Sequence, residues 1–119
     1  MLIETRVIAH LSALLDGCAV AAEVPEDFPD DGALVVVEKV GESVVNRIRQ
    51  ARFAVQSYGD TLLHAAERNE ETLSALESLA QDPHVSACRV ETAYNFTDEV
   101  RKRYRYQAVV HVSYYEEGT

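Results

Sequence analysis

Residues 47–58 alternate between apolar and polar side chains, and this pattern constrains the fold more than any other part of the sequence. In the stretch RIRQARFAVQSY the apolar residues Ala51, Phe53 and Val55 take odd positions, and the polar residues Gln50, Arg52 and Gln56 take even positions. Successive residues of a β-strand point to opposite faces of its sheet. The alternation therefore predicts a strand in a sheet that has one buried and one polar face.

Periodicity and turn residues divide the rest of the chain into two helices and four further strands. Apolar residues at helical spacing predict helices over residues 2–15 and 59–83. Short β-branched or alternating stretches predict strands at 19–25, 33–40, 85–94 and 103–115. Residues 41–46 are assigned to a connection between two strands.

The second predicted helix carries signals for its start, its end and its buried face. Asp60 is a natural N-cap, and Asp82-Pro83 is expected to end the helix. The stripe expected to face the sheet is Leu62, Ala66, Asn69, Leu73, Leu76 and Ala80. The outward face is acidic and carries Glu67, Glu70, Glu71 and Glu77.

This order of elements predicts the fold class. Two hairpins separated by a helix form an α+β domain with a four- to five-stranded, mostly antiparallel or mixed sheet. Two amphipathic helices are expected to pack on one face of that sheet and to leave the other face semi-polar. The 119 residues fit one domain, residues 1–119.

Charge and cysteine content narrow the classes of function. The chain has 20 acidic and 11 basic residues and a net charge of −9, so as a whole it repels nucleic acid and anionic membranes. No apolar run reaches the roughly 20 residues that span a membrane, and the N-terminus lacks the pattern of a signal peptide. Cys18 and Cys88 stand among small apolar residues, which favours two reduced thiols in a cytoplasmic protein, although the sequence also allows a disulfide between them.

Residues 101–115, RKRYRYQAVVHVSYY, concentrate positive charge within this acidic chain. Along the predicted last strand the arginines take odd positions and Tyr104 and Tyr106 take even ones, so they are expected on opposite faces. A platform for single-stranded nucleic acid needs aromatic and basic side chains on one surface, which disfavours that function. A solvated polar face and a protein interface both fit. The candidate subunit or partner interface is Arg47, Arg49, Arg101, Lys102, Arg103, Arg105 and Gln107.

The sequence contains no arrangement of side chains typical of catalysis or of a bound cofactor. The four histidines lie in different predicted elements and lack the spacing of metal ligands. The paired acids lack the apolar surroundings of a catalytic pair, and the five glycines form no phosphate-binding loop. We therefore expect a protein that is not an enzyme and that has no catalytic residues, no cofactor and no metal.

Two long segments resemble a known family. ARFAVQSYGDTLLHAAERNEE (residues 51–71) and YNFTDEVRKRYRYQAVVHVSYY (residues 94–115) are similar to small tail-terminator or tail-completion proteins of tailed bacteriophages and prophages, also described as head–tail joining proteins. VVVEKVG (35–41) and AEVPEDFP (22–29) fit the same family. The resemblance spans nearly the whole chain, and its most specific parts are residues 94–98 and 102–108.

The resemblance implies a virion protein of the tail or neck that is assembled in the cytoplasm of the bacterial host. Subunits of this family form a ring, typically a hexamer, which caps the head-proximal end of the tail tube, stops its polymerisation and joins it to the head connector. The implied partners are other copies of the chain, the tail tube protein and the head–tail connector proteins, while DNA passes through the bore without specific binding. The family can use an extended loop to enter a partner, and the candidates here are residues 26–32 and 41–46. Two alternatives stay open: a head-closure or connector protein of the same neck, and a small cytoplasmic ligand-binding regulatory module.

Overall fold

The computed structural model describes residues 2–29 and 32–115. The chain runs through α1 (Ile3–Leu14), β1 (Ala19–Ala21), β2 (Leu34–Val45), β3 (Ile48–Gly59), α2 (Leu62–Glu77), a 3₁₀ helix (Ser78–Gln81), β4 (Val85–Asn95) and β5 (Tyr104–Tyr115). The strands form one sheet in the order β1-β2-β3-β5-β4. β1 pairs with β2 in parallel, and every other neighbouring pair is antiparallel. The predicted α+β class and the mixed sheet are confirmed.

Both helices pack on one face of the sheet, as the half-buried alternation of β3 requires. Ala51, Phe53 and Val55 of β3 are buried in the main core, whereas Gln50 and Arg52 are exposed. The core joins these residues to side chains of both helices and of the neighbouring strands, among them Ile3, Val7, Leu11, Val35, Val37, Leu76, Val110 and Val112. The face without helices is called the open face below.

The open face is partly apolar at one end. Leu34, Val36 and Tyr58 form a second, small cluster there, and Ala21 and Phe28 pack against it. Ala21 and Phe28 therefore shield this end of the open face. The rest of the open face carries mostly polar and charged side chains, around the buried apolar pair Ala54 and Val109.

The assignment of residues 41–46 to a connection is wrong. β2 continues through these positions to Val45, with a register shift between Lys39 and Gly41. The turn to β3 consists of two residues only, Asn46 and Arg47, whose φ angles are +51° and +68°. Two central residues with positive φ match the twist of the strands that they join, so β2 and β3 form one long hairpin.

The first residue, the last residue and the buried face of helix α2 all differ from the sequence prediction. Its N-cap is Thr61, whose side chain accepts a hydrogen bond from the backbone nitrogen of His64 at 3.1 Å, and not Asp60. The helix ends at Glu77, and the chain then tightens into the 3₁₀ helix. The buried residues of α2 are Ala65, Asn69, Thr72, Ala75 and Leu76. Because Thr72 bonds to the buried Ser57 of β3 and to the carbonyl of Arg68, a polar residue takes a core position that the apolar pattern did not mark.

Cys18 and Cys88 are both free thiols and half-buried. Cys18 directly precedes β1 and Cys88 lies in β4, and these strands form opposite edges of the sheet. Four strand spacings separate them, roughly 19 Å, which is far beyond the reach of a disulfide. Burial raises the pKa of the Cys88 thiol to about 11. The alternative of a disulfide within the chain is therefore excluded.

Candidate interaction surface

Arg105 and three aromatic side chains form a cluster on the open face. Nε of Arg105 donates to the carbonyl of Phe96 at 2.7 Å, and Nη1 of Arg105 donates to the hydroxyl of Tyr58 at 3.2 Å. The guanidinium carbon lies 4.5 Å from the centre of the Phe96 ring, a distance typical of a cation–π contact. Tyr94 meets Phe96 edge to face, with ring centres 6.0 Å apart. The Arg105 guanidinium is thus bonded to groups of its own chain, and these bonds link β5 to β3 and to the end of β4.

A second row of side chains crosses the open face next to this cluster. Gln56 of β3 donates to Gln107 of β5 at 2.8 Å, and Gln107 donates to the hydroxyl of Tyr94 at 2.6 Å. The register explains the row, because Gln56, Gln107 and Tyr94 are direct neighbours across three strands. The Gln107 side chain therefore has its hydrogen-bond partners within the same sheet, and it stabilises the pairing of β3, β5 and β4.

A charged row completes the open face. Glu91 of β4 accepts from Nε2 of His111 at 2.8 Å and lies 3.6 Å from Nη2 of Arg52. The hydrogen bond from His111 is the largest influence that lowers the pKa of the Glu91 carboxyl, and the charge of Arg52 acts in the same direction. Arg52 is therefore paired and is separated from Arg49, as the alternation of β3 predicts.

The predicted separation of arginines and tyrosines along β5 is confirmed. Tyr106 is paired with Ser57, which is buried against α2, so Tyr104 and Tyr106 belong to the helix-covered face. The sequence argument nevertheless missed the aromatic residues of other strands. Tyr58, Tyr94 and Phe96 lie beside Arg105 on the open face. The signal for Tyr58 was available, since it shares even parity with Arg52 and Gln56 in β3.

The seven residues predicted as an interface divide into two groups. Arg101, Lys102, Arg103, Arg105 and Gln107 gather at one end of the sheet, in β5 and in the turn before it. Arg47 and Arg49 lie at the other end, because Arg49 is paired with Tyr114. Along β5, Tyr114 lies nine residues from Arg105, so roughly 30 Å of strand separates Arg49 from Arg105. Arg49 also belongs to the helix-covered face, where it donates to Glu42 at 3.2 Å. A single basic strip through all seven residues therefore does not exist, although their role in an interface stays a prediction.

The turn between β4 and β5 is held by its own hydrogen bonds. The Asp98 carboxylate accepts from the backbone nitrogens of Val100 at 3.0 Å and Arg101 at 3.1 Å. Backbone hydrogen bonds join Asp98 and Arg103 in both directions. The hydrogen bond from the backbone of Arg101 is the main cause that lowers the pKa of Asp98. Residues 98–103 are called the basic turn below, and its tip presents Val100, Arg101 and Lys102 to solvent.

At the opposite end, Glu42 of β2 anchors the long hairpin. Its carboxylate accepts hydrogen bonds from Lys39 at 2.7 Å, from Arg49 and from the Tyr114 hydroxyl. Lys39 also lies 3.6 Å from Glu4 of α1. The hydrogen bond from Lys39, followed by that from Tyr114, lowers the pKa of Glu42 to about 2. One carboxylate thus links β2 to β3 and β5, and through Lys39 to α1.

A cleft of about 300 Å³ lies between the N-terminal half of α2 and the ends of β2 and β3. Asp60, Glu67 and Glu71 line it together with Arg68 and His64, and Gly32, Ala33 and Tyr58 complete its wall. Arg68 pairs with Glu71 at 3.2 Å. The Asp60 carboxylate bonds to the imidazole of His64 and raises the pKa of that imidazole. We name this site the acidic cleft, since three carboxylates and only one guanidinium line it.

Neither a metal centre nor a membrane-spanning helix is found in the part of the chain that the structure describes. No group of three or more potential ligands among these residues is placed to hold a metal ion. Neither helix is long and apolar enough to cross a bilayer. The described surface includes an open face whose polar side chains are hydrogen-bonded to one another, an exposed basic turn and an acidic cleft.

Comparison with known proteins adds no family assignment. No protein-family model matches the chain, and no curated protein is significantly similar to it.

Proposed function

We propose that this protein is a structural component of a phage tail, which caps the head-proximal end of the tail tube as a ring, stops tube growth and forms the joint to the head connector. Its location would then be the neck of the virion, and its partners would be further copies of itself, the tube protein and the connector. The proposal rests on the resemblance of residues 51–71 and 94–115.

One structural observation supports this proposal most directly. The first segment that resembles tail terminators covers most of β3 and the first ten residues of α2. The second covers the last two residues of β4, the basic turn and β5. They contain Arg105, its three aromatic neighbours and the tip of the basic turn, and they provide most of the wall of the acidic cleft. Thus the resembling segments coincide with surface features suited to contacts between proteins.

The charge of the chain agrees with a conduit for DNA. A net charge of −9 repels the polyanion that passes through a ring, so DNA is not held in the bore. The separation of a basic turn from an acidic cleft suits contacts between different patches on adjacent copies.

The test combines purified full-length protein with tail tubes assembled from the tube protein of the same genome. We expect negative-stain images to show rings at one end of each tube, and tube length to stop increasing when the protein is added during polymerisation. Tubes that keep growing with bare ends would contradict the proposal.

A deletion in the phage or prophage separates the two neck functions. Tails of uncontrolled length are expected for a terminator, whereas normal tails detached from filled heads would show that the protein is a head-closure component. A monomeric protein that ignores tubes and gains thermal stability with a small molecule would favour the ligand-binding module.

Binding of single-stranded nucleic acid is the second candidate, because Arg105 shares the open face with Tyr58, Tyr94 and Phe96. Against it, the Arg105 guanidinium already bonds to Phe96 and Tyr58, and the chain is strongly acidic. Electrostatic binding is strongest at low salt, so the absence of binding there would dismiss this function.

A further inference from the structure

Val100 is the most exposed of the large apolar side chains that the structure describes. It is 93% exposed, and it stands at the tip of the basic turn beside Arg101 and Lys102. The turn is shaped in advance by the hydrogen bonds of Asp98 and by Lys102, whose φ is +56°. A surface that is ordered before binding loses little conformational entropy on docking. Glu99 precedes Val100 and two cations follow it, so the tip combines an exposed apolar side chain with one net positive charge. Such a tip is suited to insert into an acidic recess.

The acidic cleft has the complementary properties. Three carboxylates and one guanidinium line it, so two negative charges are in excess when His64 is neutral. Ala33 and Tyr58 provide apolar wall next to the carboxylates. The volume of about 300 Å³ accommodates a few side chains, such as one valine with part of an arginine.

The positions of the turn and the cleft favour contact between two copies. Both lie at the same end of the sheet, because Tyr58 is paired with Leu34 on one side and with Arg105 on the other. The basic turn belongs to the β4–β5 side, whereas the cleft lies on the β2–β3 side beneath α2. No residue of the basic turn lines the cleft of its own chain. The turn and the cleft are different patches of the surface, and contact between different patches on two copies is head-to-tail and repeats in one direction.

We propose that the basic turn of one copy docks into the acidic cleft of the next, with Val100 against Ala33 and with Arg101 and Lys102 facing Glu67 and Glu71. This inference rests on the proposed ring, for which it names the contact between subunits. Charge complementarity within a single chain identifies the occupant of the cleft as a second copy.

The test is disulfide formation between two separately labelled proteins. Both carry Cys18→Ser and Cys88→Ser; one adds Val100→Cys and the other adds Ala33→Cys. We expect the mixed dimer to form about tenfold faster than with a control partner that carries Ser12→Cys on the exposed side of α1, because docking raises the local concentration of the two thiols. Equal rates for the two partners would overturn the proposal.

A charge exchange gives a second, independent measurement. Adding Arg101→Glu and Lys102→Glu to the Val100→Cys protein is expected to slow formation of the mixed dimer about tenfold, since like charges then meet. Glu67→Lys with Glu71→Lys in the Ala33→Cys partner is expected to restore the rate. Circular dichroism of each variant checks that the fold is intact. Slowing without restoration would also contradict the proposed pairing.

The cross-linking test and the tail-tube test can give opposite outcomes, so each proposal can fail by itself. Rings on tail tubes without the cross-link would leave the terminator function standing and remove this contact. A cross-link in a protein that does not stop tube growth would keep the contact and remove the terminator function.

Discussion

At the scale of single residues, three non-glycine positions among the described residues have left-handed backbone conformations. Asn46 and Arg47 form the turn of the long hairpin, and Lys102 lies in the basic turn. Asparagine tolerates this conformation because its short side chain can bond locally, whereas a long side chain is strained there. Glycine is the usual second residue of such a two-residue turn. The hairpin therefore keeps an unfavourable residue at Arg47.

Replacement of Arg47 by glycine is expected to stabilise the protein. Removing the Cβ relieves a strain of about 1 kcal/mol, which raises the melting temperature by roughly 3–5 °C. Arg47→Ala serves as the control, since it removes the same charge and keeps the strain, and we expect little change for it. Thermal unfolding followed by circular dichroism measures both variants; equal melting temperatures would show that the strain at Arg47 is negligible.

At the scale of elements, Glu42 makes the attachment of the long hairpin dependent on pH. Its pKa is lowered to about 2 in the folded protein, against an ordinary value of 4.5. A lowered pKa means that the ionised carboxylate stabilises the fold above pH 4.5. That contribution is lost as the pH falls through the window from about 4.5 to about 2.

We therefore expect Glu42→Gln to flatten the acid side of the stability profile. The free energy of unfolding of the natural chain should decrease between pH 4.5 and pH 2 more steeply than that of the variant. Urea unfolding at a series of pH values provides the measurement. Glu38→Gln, an exposed position of the same strand, is the control and should keep the natural slope. Parallel profiles for Glu42→Gln and the natural chain would assign the acid response to other groups.

The buried face of α2 can be tested with two leucines of the same helix. Leu76 lies on the sheet-facing side of the helix and is fully buried, whereas Leu63 is 67% exposed. Leu76→Ala is expected to cost about 2–5 kcal/mol of unfolding free energy because it leaves a cavity, and Leu63→Ala is expected to stay within about 0.5 kcal/mol. Denaturant unfolding of both variants decides this, and similar costs would mean that the buried face is assigned incorrectly.

At the scale of the whole molecule, the two outer edges of the sheet are handled differently. β4 has register shifts near Val85 and again near Val90, and such bulges discourage pairing with another strand. β1 covers only Leu34–Val36 of β2, so within residues 2–29 and 32–115 no strand lies beside the outer edge of β2 from Val37 onward. The β4 edge is therefore better suited to contacts through side chains, such as those of the basic turn, than to pairing with a strand of another molecule.

The molecule is also elongated. Its extents are 45 × 25 × 23 Å, because its central strands each run for twelve residues. Arg47 and Arg49 lie at one end of the sheet and the basic turn lies at the other. The acidic cleft shares the end of the basic turn, so charges of both signs occur there in a chain whose net charge is −9.

Local patterns in the sequence were sufficient for the order of the elements, for the class of the fold and for the face to which each β5 side chain points. The alternation of β3 and β5 and the spacing of apolar residues in α1 depend only on neighbours in the chain. The same patterns placed Arg105 and Tyr106 on opposite faces, which the register with Tyr58 and Ser57 confirms.

Only the tertiary structure decided which distant residues meet. Arg105 is joined to Tyr58 and Phe96, and Glu42 to Tyr114, because the register of paired strands brings together residues that no local pattern relates. The same holds for Thr72, whose hydroxyl is buried because Ser57 supplies a hydrogen-bond partner from another element. Local periodicity reports the direction of a side chain along its own element, whereas its partner depends on strand pairing and helix packing, which the complete fold alone specifies.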